Sequence, residues 1–287
     1  MNIKRSRRSG WIAYLMLAPS LVIFAIFAFW PFYQLIHDSL YKKKLNGINE
    51  TYVGASQLTK NLTSSEFGQG VRISALFLVY TVPLGLILGV IMAVAVHRKM
   101  AGVRIFQTIF SSTIASSVAV SSVIFLTLVN PKIGYFKDVR WLSLEHSDSA
   151  LLAVSLSSVW QNLGLTFVIV LAGLQAISED LIEASLIDGY STLRRFFRII
   201  VPLLSPTLMF LTVVLAIHAF QAYAPMEVLT GGGPAGTTES LLFKITKLQG
   251  PTDRATGAAF SLGLFGITVV VSGLQYQLLN RRVQYGN

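Results

Sequence analysis

Residues 178–189 read Ser178-Glu179-Asp180-Leu181-Ile182-Glu183-Ala184-Ser185-Leu186-Ile187-Asp188-Gly189, and this charged stretch lies between two long apolar runs, 150–177 and 207–230. About 20 mostly apolar residues suffice to cross a bilayer as a helix. Four further runs qualify: 11–36, 71–96, 105–129 and 256–279. An open sheet cannot satisfy its edges in lipid, and the alternating ten-residue strands of a barrel are absent. The expected fold is an all-α integral membrane protein of six transmembrane helices. The whole chain, 1–287, reads as one transmembrane domain, with the polar segment 178–206 between spans four and five.

Composition agrees with this reading. Hydrophobic residues make up 53% of the chain and charged residues only 13%, where a soluble domain carries roughly 25% charged residues. Cysteine is absent, which excludes a disulfide framework, a thiol nucleophile and zinc-finger spacing. The net charge of +10 would suggest nucleic acid in a soluble protein. Here the basic residues flank apolar runs, where the lipid bilayer explains them. No basic face is interleaved with aromatics, so no nucleic-acid partner is expected.

The first run follows Lys4, Arg5, Arg7 and Arg8. It exceeds a signal-peptide core in length and no small-residue cleavage site closes it, so it reads as an anchor span. Further tight basic clusters occur at His97-Arg98-Lys99 with Arg104, at Arg194-Arg195 with Arg198, and at Arg281-Arg282. Outer basic residues are dispersed among acids, with Lys42-Lys43-Lys44 the exception. The expected topology is multi-pass, with both termini cytoplasmic.

Segment 178–206 then faces the cytoplasm. Ser178 is placed to cap a helix whose first turn carries Glu179 and Asp180. Gly189 is placed to end it in a left-handed cap. Ser191 or Thr192 begins a second helix, in which Leu193, Phe196, Phe197 and Ile200 share one face and Arg194, Arg195 and Arg198 the other. Pro202 and Pro206 are expected to end it. Such a helix-turn-helix could lie passively on headgroups. However, Glu179, Asp180, Glu183 and Asp188 would be repelled by anionic lipid, which favours docking to a cytoplasmic protein.

The spacing Glu183-Ala184-Ser185, three residues, Gly189, nine residues, Ile199, one residue, Val201-Pro202 resembles the EAA loop of binding-protein-dependent ABC importer permeases. Ser185 and Val201 depart mildly from that family's alanine and leucine. The loop Gly231-Gly232-Gly233-Pro234, preceded by Leu229-Thr230 and followed by Thr237-Thr238, is similar to that of the sugar and glycerol-3-phosphate branch. Leu17-Ala18-Pro19 and Val159-Trp160 extend the likeness over nearly the whole chain. The resemblance implies a second homologous permease, two cytoplasmic ATPase subunits and an extracytoplasmic solute-binding protein. It implies that Glu183, Ala184, Ser185, Asp188, Gly189, Arg194 and Arg195 couple to the ATPase, and that the glycine loop faces the binding protein. No GxxxxGK[ST] loop occurs in this chain, so ATP and Mg belong to partner subunits. The expected solute is glycerol-3-phosphate or a glycerophosphodiester, with a neutral di- or oligosaccharide as the alternative.

Polar residues within spans must face a cavity or a partner. Gln161 and Asn162 in span four, and His218 and Gln221 in span five, fall at similar depth. They read either as one layer of a solute pathway or as hydrogen bonds between helices. Trp160 and Tyr223 offer rings that could stack on sugars, and Glu227 lies further out. Ser116 and Ser117 sit near the middle of span three, and Pro83 in span two suggests a kink. Gly85 and Gly89 form a GxxxG packing face. No Cys, second His or carboxylate pair accompanies His218, so no metal site is expected. An ion-coupled secondary transporter would need an intramembrane carboxylate and inverted repeats; Glu227 is the lone candidate. A membrane enzyme would need clustered acids or histidines, which are missing.

Overall fold

The computed structural model describes residues 7–43, 50–97, 102–250 and 253–280, with side chains omitted at 7–13, 43, 50 and 280. Lys4, Arg5, Lys44, Arg98, Lys99, Arg281 and Arg282, which informed the topology, lie outside the described residues. The chain is mostly helical and divides into two compact units, Met1–Ser64 with Ile245–Gly263, and Ser65–Lys244 with Leu264–Asn287. Four helices are long and apolar enough to span a membrane, and six spans result if each of two bent helix pairs counts as one.

In the first unit, α1 (Arg7–Phe24) passes through a π turn (Ala25–Phe29) into α2 (Trp30–Leu40). The Trp30 N–H reaches back five residues to the Ala25 carbonyl, immediately before Pro31. Proline has no N–H and its ring crowds the carbonyl four residues back; a widened turn carries the helix past it. None of the apolar window of span Tyr14–Leu40 is buried. Beyond α2, strand β1 (Tyr41–Lys43) pairs antiparallel with β2 (Glu50–Tyr52) in the register Tyr41 opposite Tyr52, and α3 (Gly54–Leu62) follows. Asp38 Oδ2 accepts a 2.7 Å charged hydrogen bond from Arg254 Nε, at the start of α14 (Arg254–Asn280).

The second unit is built on α4 (Ser65–Val96) packed against α7 (Ala150–Gln175). The close approach is made at Gly89, where a Cβ would run into the Thr166 side chain. The Gly85/Gly89 face therefore serves packing within the chain. Helix α4 runs unbroken through Pro83. Phe77, Val154, Met226 and Phe243 fill one core cluster; Phe167, Val170, Leu204 and Leu211 fill another.

Two spans expected as single helices are broken. In the third, α5 (Val103–Ser111) runs through a 3-10 turn (Ser112–Ala115), and α6 (Val118–Val129) restarts at a 107° bend. Ser116 and Ser117 take extended backbone, and the Ser117 hydroxyl accepts the Val120 N–H at 3.3 Å. Serine competes with helix by bonding its own backbone, and here it supplies the new N-cap. The fifth span, expected over 207–230, is α11 (Ser205–Phe220), a turn, and α12 (Ala224–Leu229). Pro225 lacks the N–H that would continue α11, and its ring would crowd the Gln221 carbonyl.

The segment before α11 also departs from expectation. Pro202 does not end the second helix of segment 178–206. Helix α9 (Thr192–Arg195) passes through a π turn (Phe196–Ile200) into α10 (Val201–Leu203), with the Val201 N–H on the Phe196 carbonyl. This is the device used before Pro31. The 67° bend falls between Leu203 and Ser205. Leu193 (73%) and Phe197 (65%) are exposed, and Arg195 is half-buried.

Candidate functional site

Two sites take shape in the second unit. The first is the segment after α7. Helix α8 (Glu179–Ile187) starts at Ser178, which has cap backbone geometry but no side-chain cap bond. It ends in a Schellman arrangement, with Gly189 N–H on the Leu186 carbonyl at 3.1 Å and Tyr190 N–H on the Ser185 carbonyl at 3.0 Å. Gly189 has φ +72° and nothing within reach of a Cβ, so conformation alone asks for glycine there. Ser191 then caps α9 through the Arg194 N–H.

Glu183, Ala184, Asp188 and Arg194 are exposed, and so are Leu181, Leu186 and Ile187. Ser185 is buried and donates to the Ile182 carbonyl at 2.6 Å. The Arg194 guanidinium lies 4.7 Å from the centre of the Tyr190 ring. Among the described residues, Arg195 Nη1 is buried without a hydrogen-bond partner. Acids and large apolar side chains thus share one bare surface, a pattern that suits a protein partner better than water or headgroups.

The second site is a cavity of ≈ 210 Å³ where α4, α7 and the broken fifth span meet. Gln161, Asn162, His218 and Gln221 all line it, together with Ser158, Thr81, Gly85, Val118 and Pro225. Asn162 Nδ2 donates to the Ser158 carbonyl at 2.8 Å. That fixes Asn162 Oδ1 toward His218 Nδ1, 3.1 Å away. A carbonyl oxygen only accepts, so Nδ1 carries the proton and the Nε2 of a neutral imidazole is left as an acceptor. Among the described residues, the Gln161 and Gln221 amides have no hydrogen bond.

The break in span five positions this layer. Phe220 ends α11, and Gln221 and Ala222 of the turn and Pro225 of α12 reach the cavity. Ser240 Oγ donates to the Ala222 carbonyl at 3.1 Å and holds the turn. The break in span three adjoins it: Gly164 N–H donates to Thr113 Oγ1 at 2.8 Å, and a Cβ on Gly164 would strike Thr113 and Ile114.

Three of the expected pathway residues lie apart from the cavity lining. Trp160 is half-buried on another face of α7. Tyr223 packs its ring 6.0 Å from that of Phe243. Glu227 is half-buried on α12. Conversely, Ser158 and Thr81 were not singled out from the sequence. Ser158 stands one turn before Asn162 on the same helix face, which is a signal that could have found it.

The glycine loop is tightly held. Gly231 and Gly232 have φ of +58° and +91°, and a Cβ on Gly232 would come 2.8 Å from the Phe243 ring. Gly233 and Pro234 complete the turn. The Thr238 hydroxyl donates to the Gly233 carbonyl at 2.9 Å, and Leu241 N–H donates to Ser74 Oγ at 2.9 Å. Lys244 bridges Glu239 at 2.9 Å and Gln69 at 3.2 Å.

Comparison with known proteins meets this geometry from outside. A family model described as "binding-protein-dependent transport system inner membrane component" matches residues 85–285. The sn-glycerol-3-phosphate transport system permease protein UgpA of Rhizobium meliloti (strain 1021) is 31% identical over 284 residues, covering 96% of this chain and 97% of that protein. Its namesake in Yersinia pestis is 30% identical over 285 residues, covering 96% of each. A bacterial alginate ABC transporter, solved in complex with an alginate pentasaccharide-bound periplasmic protein, superimposes with a TM-score of 0.80 over 98% of both chains at 17% identity. That likeness speaks to the fold.

Proposed function

The chain belongs to the binding-protein-dependent transport system inner membrane components, and from that premise we propose how this permease subunit of an ABC importer handles its solute. The solute is glycerol-3-phosphate or a glycerophosphodiester, delivered by an extracytoplasmic binding protein. The relatives' names support this class. The subunit is a transporter component rather than an enzyme. A second homologous permease completes the pathway, and two cytoplasmic ATPase subunits bind ATP and Mg and drive the cycle. The chain acts as one transmembrane domain with both termini cytoplasmic.

One observation carries the pathway: Gln161, Asn162, His218 and Gln221, from two spans, converge on one cavity at a helix break. Backbone irregularity at membrane depth is tolerated where it lines a cavity or is covered by protein. Gln161, Gln221 and His218 Nε2 offer uncommitted donors and acceptors to solute hydroxyls. Segment 178–206 docks on the ATPase through Glu183 and its neighbours, and Gly189 sets the corner between its helices. ATPase closure then moves the bundle as rigid bodies between inward- and outward-facing states. The rigid glycine loop presents the outer surface to the binding protein.

A specific observation favours the second reading, a neutral di- or oligosaccharide: the cavity lining contains no Lys or Arg. Equilibrium binding of glycerol-3-phosphate, glycerophosphodiesters and disaccharides to the cognate binding protein separates the two. Tight binding of disaccharide alone overturns the phosphate reading.

A further inference from the structure

We infer that the groove between α5 and α7 is the inner leg of the solute path, and that Arg104 at its end is the cation that meets an anionic solute. This rests on the cavity being the pathway.

The groove, ≈ 390 Å³, is lined by Arg104, Gln107, Thr108 and Ser111 of α5 and by Phe167, Val168 and Leu171 of α7. The α5 residues recur at i, i+3, i+4 and i+7 and so form one stripe. Ile105, Phe106 and Ile109, on the remaining surface of α5, are 65%, 53% and 56% exposed. That apolar surface suits lipid. The polar stripe does not, because polar groups inside a span need water or a partner.

The groove lies beyond the cavity along α7. On α7 the cavity takes Ser158, Val159, Gln161 and Asn162, and the groove takes Phe167, Val168 and Leu171. At 1.5 Å per residue the centres are roughly 12 Å apart along the helix. The displacement runs toward Gln175, where α7 leads into the coupling segment. Between the two hollows the Gly164 N–H donates to Thr113 Oγ1 at 2.8 Å, joining α7 to the 3-10 turn that follows α5.

The donors and acceptors along the stripe are open to a passing solute. Thr108 and Ser111 have committed their hydroxyl protons to the Arg104 and Gln107 carbonyls, at 2.9 and 2.7 Å, leaving oxygen lone pairs outward. Among the described residues, Gln107 and Arg104 side chains have no partner. The cavity reads hydroxyls with neutral groups, and Arg104 supplies the positive charge it lacks.

The absence of native cysteine allows a direct test in the assembled complex. Gln107→Cys, Thr108→Cys and Ser111→Cys, with Ile105→Cys, Ile109→Cys and Asn162→Cys for comparison, are exposed to anionic and cationic methanethiosulfonates, and labelling of this chain is read by mass. The stripe positions are expected to label and Ile105→Cys and Ile109→Cys to stay unlabelled. At Ser111→Cys the anionic reagent should gain, and the cationic reagent lose, on the order of twofold in rate, as one charge about 10 Å away through water produces. Arg104→Gln should abolish that preference. If Asn162→Cys labels while the stripe does not, the groove is covered by lipid or the second permease and the inference fails with the pathway intact. If Asn162→Cys is also unlabelled, the pathway reading itself fails. Equal rates for the two reagents at Ser111→Cys would remove Arg104 from its role.

Discussion

Segment 178–206 and the cavity are held by opposite means. Segment 178–206 is local: its caps, its glycine corner and its π turn are made within a few residues, and its acids are exposed. The cavity is assembled from four segments far apart in sequence, and its key contact, Asn162 to His218, spans 56 positions. A locally held, bare surface can be altered with little effect on the bundle and a large effect on whatever docks there. A cavity built into packing cannot be altered so cleanly. Substitutions should therefore separate motion from stability in the first region and mix them in the second.

The largest expected effect is at Gly189. Proline fixes φ near −65° and cannot adopt the +72° of this corner. Gly189→Pro should reduce uptake by about tenfold or more, the factor that 1.4 kcal/mol of misplacement gives, with membrane abundance unchanged. Glu183→Ala should act in the same direction. Immunoblotting of membranes alongside solute uptake checks both. Normal uptake in both variants would remove the docking role.

Next is Gly89, where packing is tight. Gly89→Leu pushes into Thr166, and overpacking costs about 1–3 kcal/mol. Abundance and melting temperature should fall in detergent-solubilised complex. An unchanged melting temperature would show that α4 and α7 separate easily, and would blur the contrast between the two regions.

The cavity residues follow. Single alanine changes at Gln161, Asn162, His218 and Gln221 should shift the apparent transport constant by roughly 2.5- to 13-fold, since a neutral hydrogen bond is worth about 0.5–1.5 kcal/mol. Asn162→Ala should also lower stability, because it unties both Ser158 and His218. Gln161→Ala and Gln221→Ala should not, since their side-chain amides make no hydrogen bond among the described residues. A stability loss without a transport change at those two would assign the layer to helix packing.

The smallest effect is expected at Asp38. Its bond to Arg254 is short, but the arginine side chain is 52% exposed, and such pairs contribute about 0–1 kcal/mol. Asp38→Asn should move the melting temperature by little, and a large shift would show that the pair is shielded in the assembly.

What the sequence disclosed divides along the same line. The local geometry of segment 178–206 was legible because capping and glycine conformation are local: Gly189 and Ser191 behave as their chemistry requires. The four-residue layer was legible because depth along a span follows from residue count. The breaks were less so. Pro225 and the Ser116-Ser117 pair are visible in the sequence, yet proline is tolerated within spans, as Pro83 of α4 demonstrates. Whether span five breaks depends on what satisfies the freed groups, here Ser240 Oγ donating to the Ala222 carbonyl, a partner remote in sequence. The π turns before Pro31 and Pro202 escaped notice for a related reason: a helix has two ways past a proline, and packing chooses.

The most direct measurement is ATP hydrolysis and solute transport followed together in proteoliposomes holding the assembled complex, with solute-loaded binding protein in excess. Gly189→Pro should lower both in proportion. Gln161→Ala and Gln221→Ala should keep stimulated hydrolysis while shifting the transport constant. Proportional loss of both activities in the cavity variants, or normal hydrolysis and transport in Gly189→Pro, would contradict the division of labour between the two regions.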